Sequence, residues 1–120
     1  MAGKQTPLVL IPRYTSFVGP TQFYMDPLPV SAYSAFSVTL WVGIYAGGAP
    51  AAYFGFQESN DGVDWTDCDG VAPLLVPSGP SSQDLTRTLT KAWLRASVGL
   101  TGAGTALTCY SVGSLERRER

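Results

Sequence analysis

Residues 53–68 read YFGFQESNDGVDWTDC, and this stretch decides the fold class. Phe54 and Phe56 alternate with Gly55 and Gln57, the chain reverses through Ser59-Asn60-Asp61-Gly62, and Val63 and Trp65 resume a period of two. That period belongs to a half-buried strand, because successive side chains on a pleated backbone point to opposite faces. Asn60 and Asp61 carry short polar side chains that bond nearby amides, and Gly62 accepts a positive φ without a Cβ clash. The stretch predicts a β-hairpin, with Trp65 as a core ring large enough to fill space between two sheets.

Outward from the hairpin the same alternation recurs. On residues 36–46, Phe36, Val38, Leu40, Val42 and Ile44 share one face, with Ser37, Thr39, Trp41, Gly43 and Tyr45 on the other, which predicts a long central strand. Gly47, Gly48 and Pro50 then break it. Residues 71–76 supply a short strand, and residues 77–82 (PSGPSS) an irregular loop. Leu85, Arg87 and Leu89 alternate with threonines, as on a strand with a wet face. Leu94, Ala96, Val98 and Leu100 point one way and Trp93, Arg95 and Ser97 the other, before a turn at residues 101–104. The last strand, residues 106–115, has two possible inner faces, Leu107/Cys109/Leu115 or Tyr110/Val112.

No stretch sustains apolar spacing at three and four. The expectation is an all-β, antiparallel β-sandwich or jelly roll of seven or eight strands. The sandwich spans residues 36–115. Residues 1–35, punctuated by Pro7, Pro12, Pro20, Pro27 and Pro29, read as an extended N-terminal arm with edge strands near 8–11 and 22–25. The charge run at 116–120 reads as a solvated tail.

A chain of 120 residues is the size of one domain with a self-sufficient core. Hydrophobic residues make up 45% and charged residues only 14%, which excludes a disordered acidic or basic tail protein and leaves a weakly charged surface of the kind a partner covers. A net charge of −1 provides no field to gather a polyanion, so no nucleic-acid partner is expected. The N-terminal residues have too short an apolar run for a secretory signal, and no run approaches the roughly 20 apolar residues of a membrane helix. Production and assembly in a cytosol, without a membrane partner, are expected. There Cys68 and Cys109 read as buried free thiols in preference to a disulfide.

The sequence contains no histidine, which removes Ser-His-Asp and Cys-His catalysis and His-ligated zinc together. Phosphate-cradling glycine motifs are also missing. Asp61, Asp64, Asp67 and Asp69 concentrate hard oxygen ligands, but their spacing matches no EF-hand, and alternation separates Asp64 from the others. A turn-building Asp61 beside solvated carboxylates is the simpler reading. No catalytic residue, cofactor or metal is expected, and the chain is not expected to be an enzyme.

Trp41, Tyr45, Tyr53, Trp65 and Trp93 offer a sugar-stacking platform, but Trp41, Tyr45 and Trp93 lie opposite the clearest apolar stripes of their strands, so they either line a second packed layer or anchor a protein partner. The partner reading is preferred, since Trp and Tyr are favoured interface anchors. In the arm, Leu8, Leu10, Ile11, Tyr14 and Phe17 are candidates for the same contact.

The segments ESNDGVDWT (58–66), WLRASV (93–98) and LTCYSVG (107–113) together resemble small β-sandwich proteins of tailed bacteriophage structural gene clusters, among them capsid decoration, or cement, proteins. The resemblance covers about residues 36–115, and the hairpin motif also occurs in discoidin-like carbohydrate-binding modules. It implies a non-enzymatic virion protein, assembled in the host cytoplasm, that binds the outside of the head and clamps major capsid protein subunits. It further implies a small homo-oligomer, a dimer or trimer. Two alternatives stand beside it: a carbohydrate-binding module using Trp41, Tyr45, Trp93 and Tyr110, and a tail or neck adaptor.

Overall fold

The computed structural model describes residues 5–46, 52–77, 80–102 and 105–118, with the side chain of Tyr14 outside the described part. Expected features at Gly47–Pro50, Ser78-Gly79, Ala103-Gly104 and Glu119-Arg120 lie outside the described residues.

Among the described residues, ten strands form two antiparallel sheets: β1 (Gln5–Val18), β2 (Thr21–Tyr24), β3 (Leu28–Pro29), β4 (Tyr33–Ala46), β5 (Ala52–Ser59), β6 (Thr66–Asp67), β7 (Leu74–Leu75), β8 (Ser81–Thr88), β9 (Trp93–Leu100) and β10 (Ala106–Arg117). The first sheet has the order β1-β10-β4-β8. The second is built on the β9–β5 pair, with β2 and β3 along one edge and β6 and β7 along the other. Two short strands in line thus occupy each edge, and the sandwich is four positions wide on both sides. The expected antiparallel β-sandwich is what the chain forms.

Residues 5–35 are part of this sandwich. β1 pairs with β10 along most of its length, and β2 pairs with β9 in the opposite sheet. The chain changes sheet at Gly19-Pro20, a cis peptide, where a Cβ on Gly19 would stand 2.7 Å from Leu100 Cβ. The close approach requires glycine. At the other terminus β10 continues through Glu116 and Arg117, and the Arg118 amide donates to the Ala32 carbonyl at 2.8 Å. Residues 116–118 are therefore tied to the fold, where a solvated tail was expected.

Inward-facing residues of both sheets interdigitate. Phe36 of β4 meets Phe56 of β5 edge-on, with centroids 4.9 Å apart, and Phe56 meets Phe54 at the same distance. Phe17 and Phe23, 5.2 Å apart, join β1 to β2 across the interior. Edge-on packing sets the positive rim of one ring against the negative face of the next. On β10 the inner face is Leu107, Cys109, Ser111 and Leu115, while Tyr110 and Val112 face outward. Both cysteines are buried free thiols. Burial pushes each thiol up to about 12, with the Glu58 carboxylate adding to the effect at Cys68.

Register shifts change which side chains the strands present. On β4, Ile44 pairs with Thr108 and Val42 with Cys109, so Gly43 is an extra residue. An extra residue inverts the alternation beyond it. Ile44, expected inside, is 63% exposed, and Tyr45, expected outside, packs against the core. On β1 the register shift at Leu10 turns both Leu10 and Ile11 inward, and a second shift makes room for Pro12-Arg13-Tyr14 opposite Tyr110. Thr15 closes that excursion by donating from Oγ1 to the Pro12 carbonyl at 2.8 Å.

Candidate functional site

The hairpin is built as its residue types dictate, but with a wider loop. β5 pairs with β6 through Gln57–Asp67 and Glu58–Thr66, leaving residues 60–65 to turn. Ser59 Oγ accepts from the Asp61 and Gly62 amides at 3.2 and 2.9 Å, and Asp61 Oδ1 accepts from the Val63 and Asp64 amides at 2.8 and 2.9 Å. Gly62 takes the positive φ of 76°. The amides of Asp64 and Val63, then the Ser59 hydroxyl, hold the Asp61 carboxyl down at about 2. Asp69 Oδ2 accepts from the Thr88 amide at 2.9 Å. Among the described residues no three His, Cys, Asp or Glu side chains converge as a metal site.

Trp65, expected in the core, instead stands half-buried on the outer face of the second sheet, its Nε1 donating to the Gly62 carbonyl at 3.3 Å. The wide loop delivers it there. The Arg95 guanidinium lies between Trp65, 4.2 Å from the ring centroid, and Tyr24, 3.9 Å from its centroid. Arg95 Nε donates to Gln57 Oε1 at 2.9 Å. Partial burial between the rings moves the Arg95 pKa below its ordinary value, while Tyr24 opposes that shift. The stack is a cation held between two ring faces. Farther along the same face, Gln22, Gly99 and Tyr53 sit side by side on β2, β9 and β5 and border a cleft of about 430 Å³.

The first sheet presents a different outer face. Trp41 and Tyr110 are register partners on β4 and β10, and their rings stack with centroids 5.9 Å apart and planes 15° off parallel. The Arg13 guanidinium lies 5.6 Å from the Tyr110 centroid. Trp41 is 43% exposed, and Val9, Ile44 and Val18 are exposed along the same face. The β4–β8 side of this face is polar, with Ser37 Oγ and Thr86 Oγ1 3.0 Å apart and Thr39 Oγ1 donating to Asp84 Oδ1 at 2.6 Å. Apolar and aromatic side chains thus stand on β1, β10 and β4 of this face, with the Ser16–Thr108 hydroxyl pair, 2.7 Å apart, between the Trp41–Tyr110 row and Val18, and a hydroxyl-rich margin on the β8 side.

These positions redistribute the expected contact residues. Leu8, Leu10, Ile11 and Phe17 are buried and supply this domain's own core, so they are unavailable as an exposed arm surface. The cause is pairing of β1 with β10, which turns their side chains toward the second sheet. Tyr45 is removed from the outer face by the Gly43 bulge, and Trp93 stands half-buried on the opposite sheet from Trp41. Tyr14 lies outside the described side chains. Among the described side chains of the expected set, Trp41 alone stands on the exposed strip. Tyr24, Tyr53, Gln57 and Arg95 were not anticipated as neighbours. Alternation placed Arg95 outside on β9, but joining it to Gln57 required the register of β5 against β9.

No protein-family model and no curated protein matches the chain. Solved structures do resemble it. The CBM22-1 xylan-binding domain from Paenibacillus barcinonensis Xyn10C superposes with a TM-score of 0.50 at 12% identity, over 99% of this chain and 98% of that one. The carbohydrate-binding module CBM6cm-2 from Cellvibrio mixtus lichenase 5A, solved with cellotriose, gives a TM-score of 0.43 at 9% identity over the whole of both chains. FlhE gives 0.41 at 11% identity, over 96% of this chain and 98% of that one. At such identities the likeness to the xylan-binding domain is one of architecture. The chain shares with it an antiparallel β-sandwich fold.

Proposed function

We propose that the protein is a non-enzymatic structural module that docks through the outer face of its first sheet onto a protein surface, the partner being the major capsid protein of a phage head. The observation that carries this reading is the strip of Val9, the Trp41–Tyr110 stack, Ile44 and Val18. Large apolar and aromatic side chains grouped on one flat face are what protein interfaces use, whereas scattered ones carry no such meaning. The hydroxyl-rich margin at Ser37, Thr39 and Thr86 suits the rim of such a contact. The resemblance of the hairpin and flanking strands to phage cement proteins supplies the partner. A small homo-oligomer and a place on the virion surface belong to the same proposal.

The carbohydrate reading of these same aromatics draws less support from the geometry. A sugar platform needs two or more ring faces presented side by side to solvent. Here Tyr45 points inward and Trp93 is on the other sheet, which leaves Trp41 beside Tyr110, with Arg13 5.6 Å from the Tyr110 centroid.

Co-sedimentation with empty shells assembled from the major capsid protein encoded beside it tests the proposal. Binding at a fixed multiple of shell subunits, absent with unassembled subunits and lost in Trp41→Ala with Ile44→Ser, is the expected result. Deleting residues 1–20 is not a usable variant, because it removes β1 and its core side chains. No co-sedimentation, or binding indifferent to both substitutions, refutes docking through this face.

A further inference from the structure

The cleft on the second sheet follows from three consecutive register partners. Gln22 on β2, Gly99 on β9 and Tyr53 on β5 all face outward in one row, and the middle position has no side chain. The Gln22 side chain lies over that position, so the cleft is bounded there by an amide, with the Tyr53 phenol on the other side of β9. Two residues along β5 from Tyr53, Gly55 seats Pro73 so closely that a Cβ there would come 2.9 Å from Pro73 Cγ, and Pro73 forms a third wall. The Gln22 amide leans over Gly99, since a Cβ on Gly99 would meet Gln22 Oε1 at 2.6 Å. Thr21 and Thr101 close the end. Two glycines thus shape an open cleft of about 430 Å³.

We propose that this cleft binds one ring of a neutral oligosaccharide. Its walls combine a phenol ring and a proline, which suit the C–H face of a pyranose, with the Gln22 amide, which can exchange hydrogen bonds with sugar hydroxyls, and the Thr21 oxygen, which donates to the Pro20 carbonyl at 2.6 Å and can still accept. Apolar walls with a few convergent polar groups are the usual makeup of a small-molecule site. None of the described lining side chains carries a charge at neutral pH, so an anionic ligand has no counter-charge in the cleft. The nearest guanidinium on β9, Arg95, is four residues from Gly99, roughly 13 Å along a strand, and is held between Tyr24 and Trp65. The open side leaves part of the ligand in water, which fits a polyhydroxylated ring better than an apolar molecule. The site lies on the opposite sheet from the proposed docking strip and stands or falls independently of it.

The test is a ¹H–¹⁵N titration of the full chain with xylotetraose, cellotetraose, maltotetraose and chitotetraose, with tetragalacturonate as the charged comparator. For so small a contact we expect a Kd on the order of 1 mM, so titration runs to about 10 mM. The expected result is saturable shifts centred on the Gly99, Tyr53 and Gln22 amides with at least one neutral tetrasaccharide and not with the charged one. Tyr53→Ala and Gln22→Ala should each weaken that binding about tenfold, through loss of the ring face and of the amide bonds. Val63→Ser, on the exposed hairpin loop, should leave it unchanged. If Tyr53→Ala fails to fold, Gln22→Ala decides. Failure of all four neutral sugars, shifts centred elsewhere, or equal binding by the Gln22 variant overturns the assignment.

Discussion

Glu58 is the most informative single position for stability. Its side chain is only 5% exposed at the end of β5, and it accepts three hydrogen bonds from the segment leading into β9. Oε1 takes the Thr90 and Lys91 amides at 2.8 and 3.2 Å, and Oε2 takes the Thr90 hydroxyl at 3.0 Å. Through these bonds the carboxylate pins the β8–β9 connection to the central strand pair of the second sheet. Glu58→Ala strips two backbone donors of this acceptor and leaves a void. An orphaned donor costs about 1–3 kcal/mol where it is buried, and water reaching the exposed Thr90 and half-buried Lys91 offsets part of it, so with the void the loss should be about 3 kcal/mol. With a specific unfolding entropy near 2.1 cal/mol/K per residue, a chain of this length should lose roughly 12 °C in Tm. Glu58→Gln keeps an oxygen for both amides and offers an NH₂ to the Thr90 hydroxyl, which can accept it, so its loss should stay near or below about 1 kcal/mol. Urea unfolding followed by tryptophan fluorescence, with unchanged m, measures both. An Ala variant within about 1 kcal/mol of the parent, or a Gln variant as damaging as Ala, would refute the acceptor argument.

Other expectations follow from the same geometry. The Asp61 carboxyl is held down at about 2 against an ordinary 3.8. A depressed folded-state value gives stability that is present above the unfolded value and lost as pH falls through the folded one. Stability should therefore decline between pH 3.8 and about 2 in the parent and less steeply in Asp61→Asn, and a ¹³C titration of the carboxyl should give a midpoint near 2. Cys68 and Cys109, pushed up to about 12, should resist a thiol reagent at pH 8 in the native protein and react once it is unfolded, whereas rapid native labelling would contradict their burial. On β10, a Cβ at Gly113 would run into the Ser37 carbonyl and lie 2.6 Å from Val38 Cα. Gly113→Ala should thus lower stability by about 2 kcal/mol or more in a urea titration, and a neutral effect would show that β4 can shift away.

Alternation made the strands and most of the core legible without coordinates. Phe36, Val38, Leu40, Phe54, Phe56, Leu94, Ala96 and Val98 are all inside, as a period of two requires. The turn chemistry of Ser59, Asp61 and Gly62 was likewise local, and the side chains bond the amides next to them. Where alternation failed, an extra residue had been inserted. Gly43 exchanged the sides of Ile44 and Tyr45, and the shift at Leu10 buried two consecutive residues of β1. A bulge is defined by the partner strand it fails to match, so one strand read alone does not reveal it. The reading of residues 1–35 put edge strands near 8–11 and 22–25, where β1 and β2 run, but set them apart from the sandwich for a related reason. Prolines mark interruptions in pairing, but only the presence of β10 and β9 decides that the pieces between them are the edges of two sheets.

The sequence by itself determined an antiparallel all-β domain, its main strands, its hairpin turn and the bulk of its interior, because these rest on side-chain periodicity and on bonds between neighbours in the chain. Tertiary structure alone decided the surfaces. The Trp41–Tyr110 stack, the Tyr24–Arg95–Trp65 sandwich and the cleft at Gln22, Gly99 and Tyr53 each combine residues from two or three elements far apart in the chain. Strand register brings such residues together, and register is a property of paired strands that no single segment encodes.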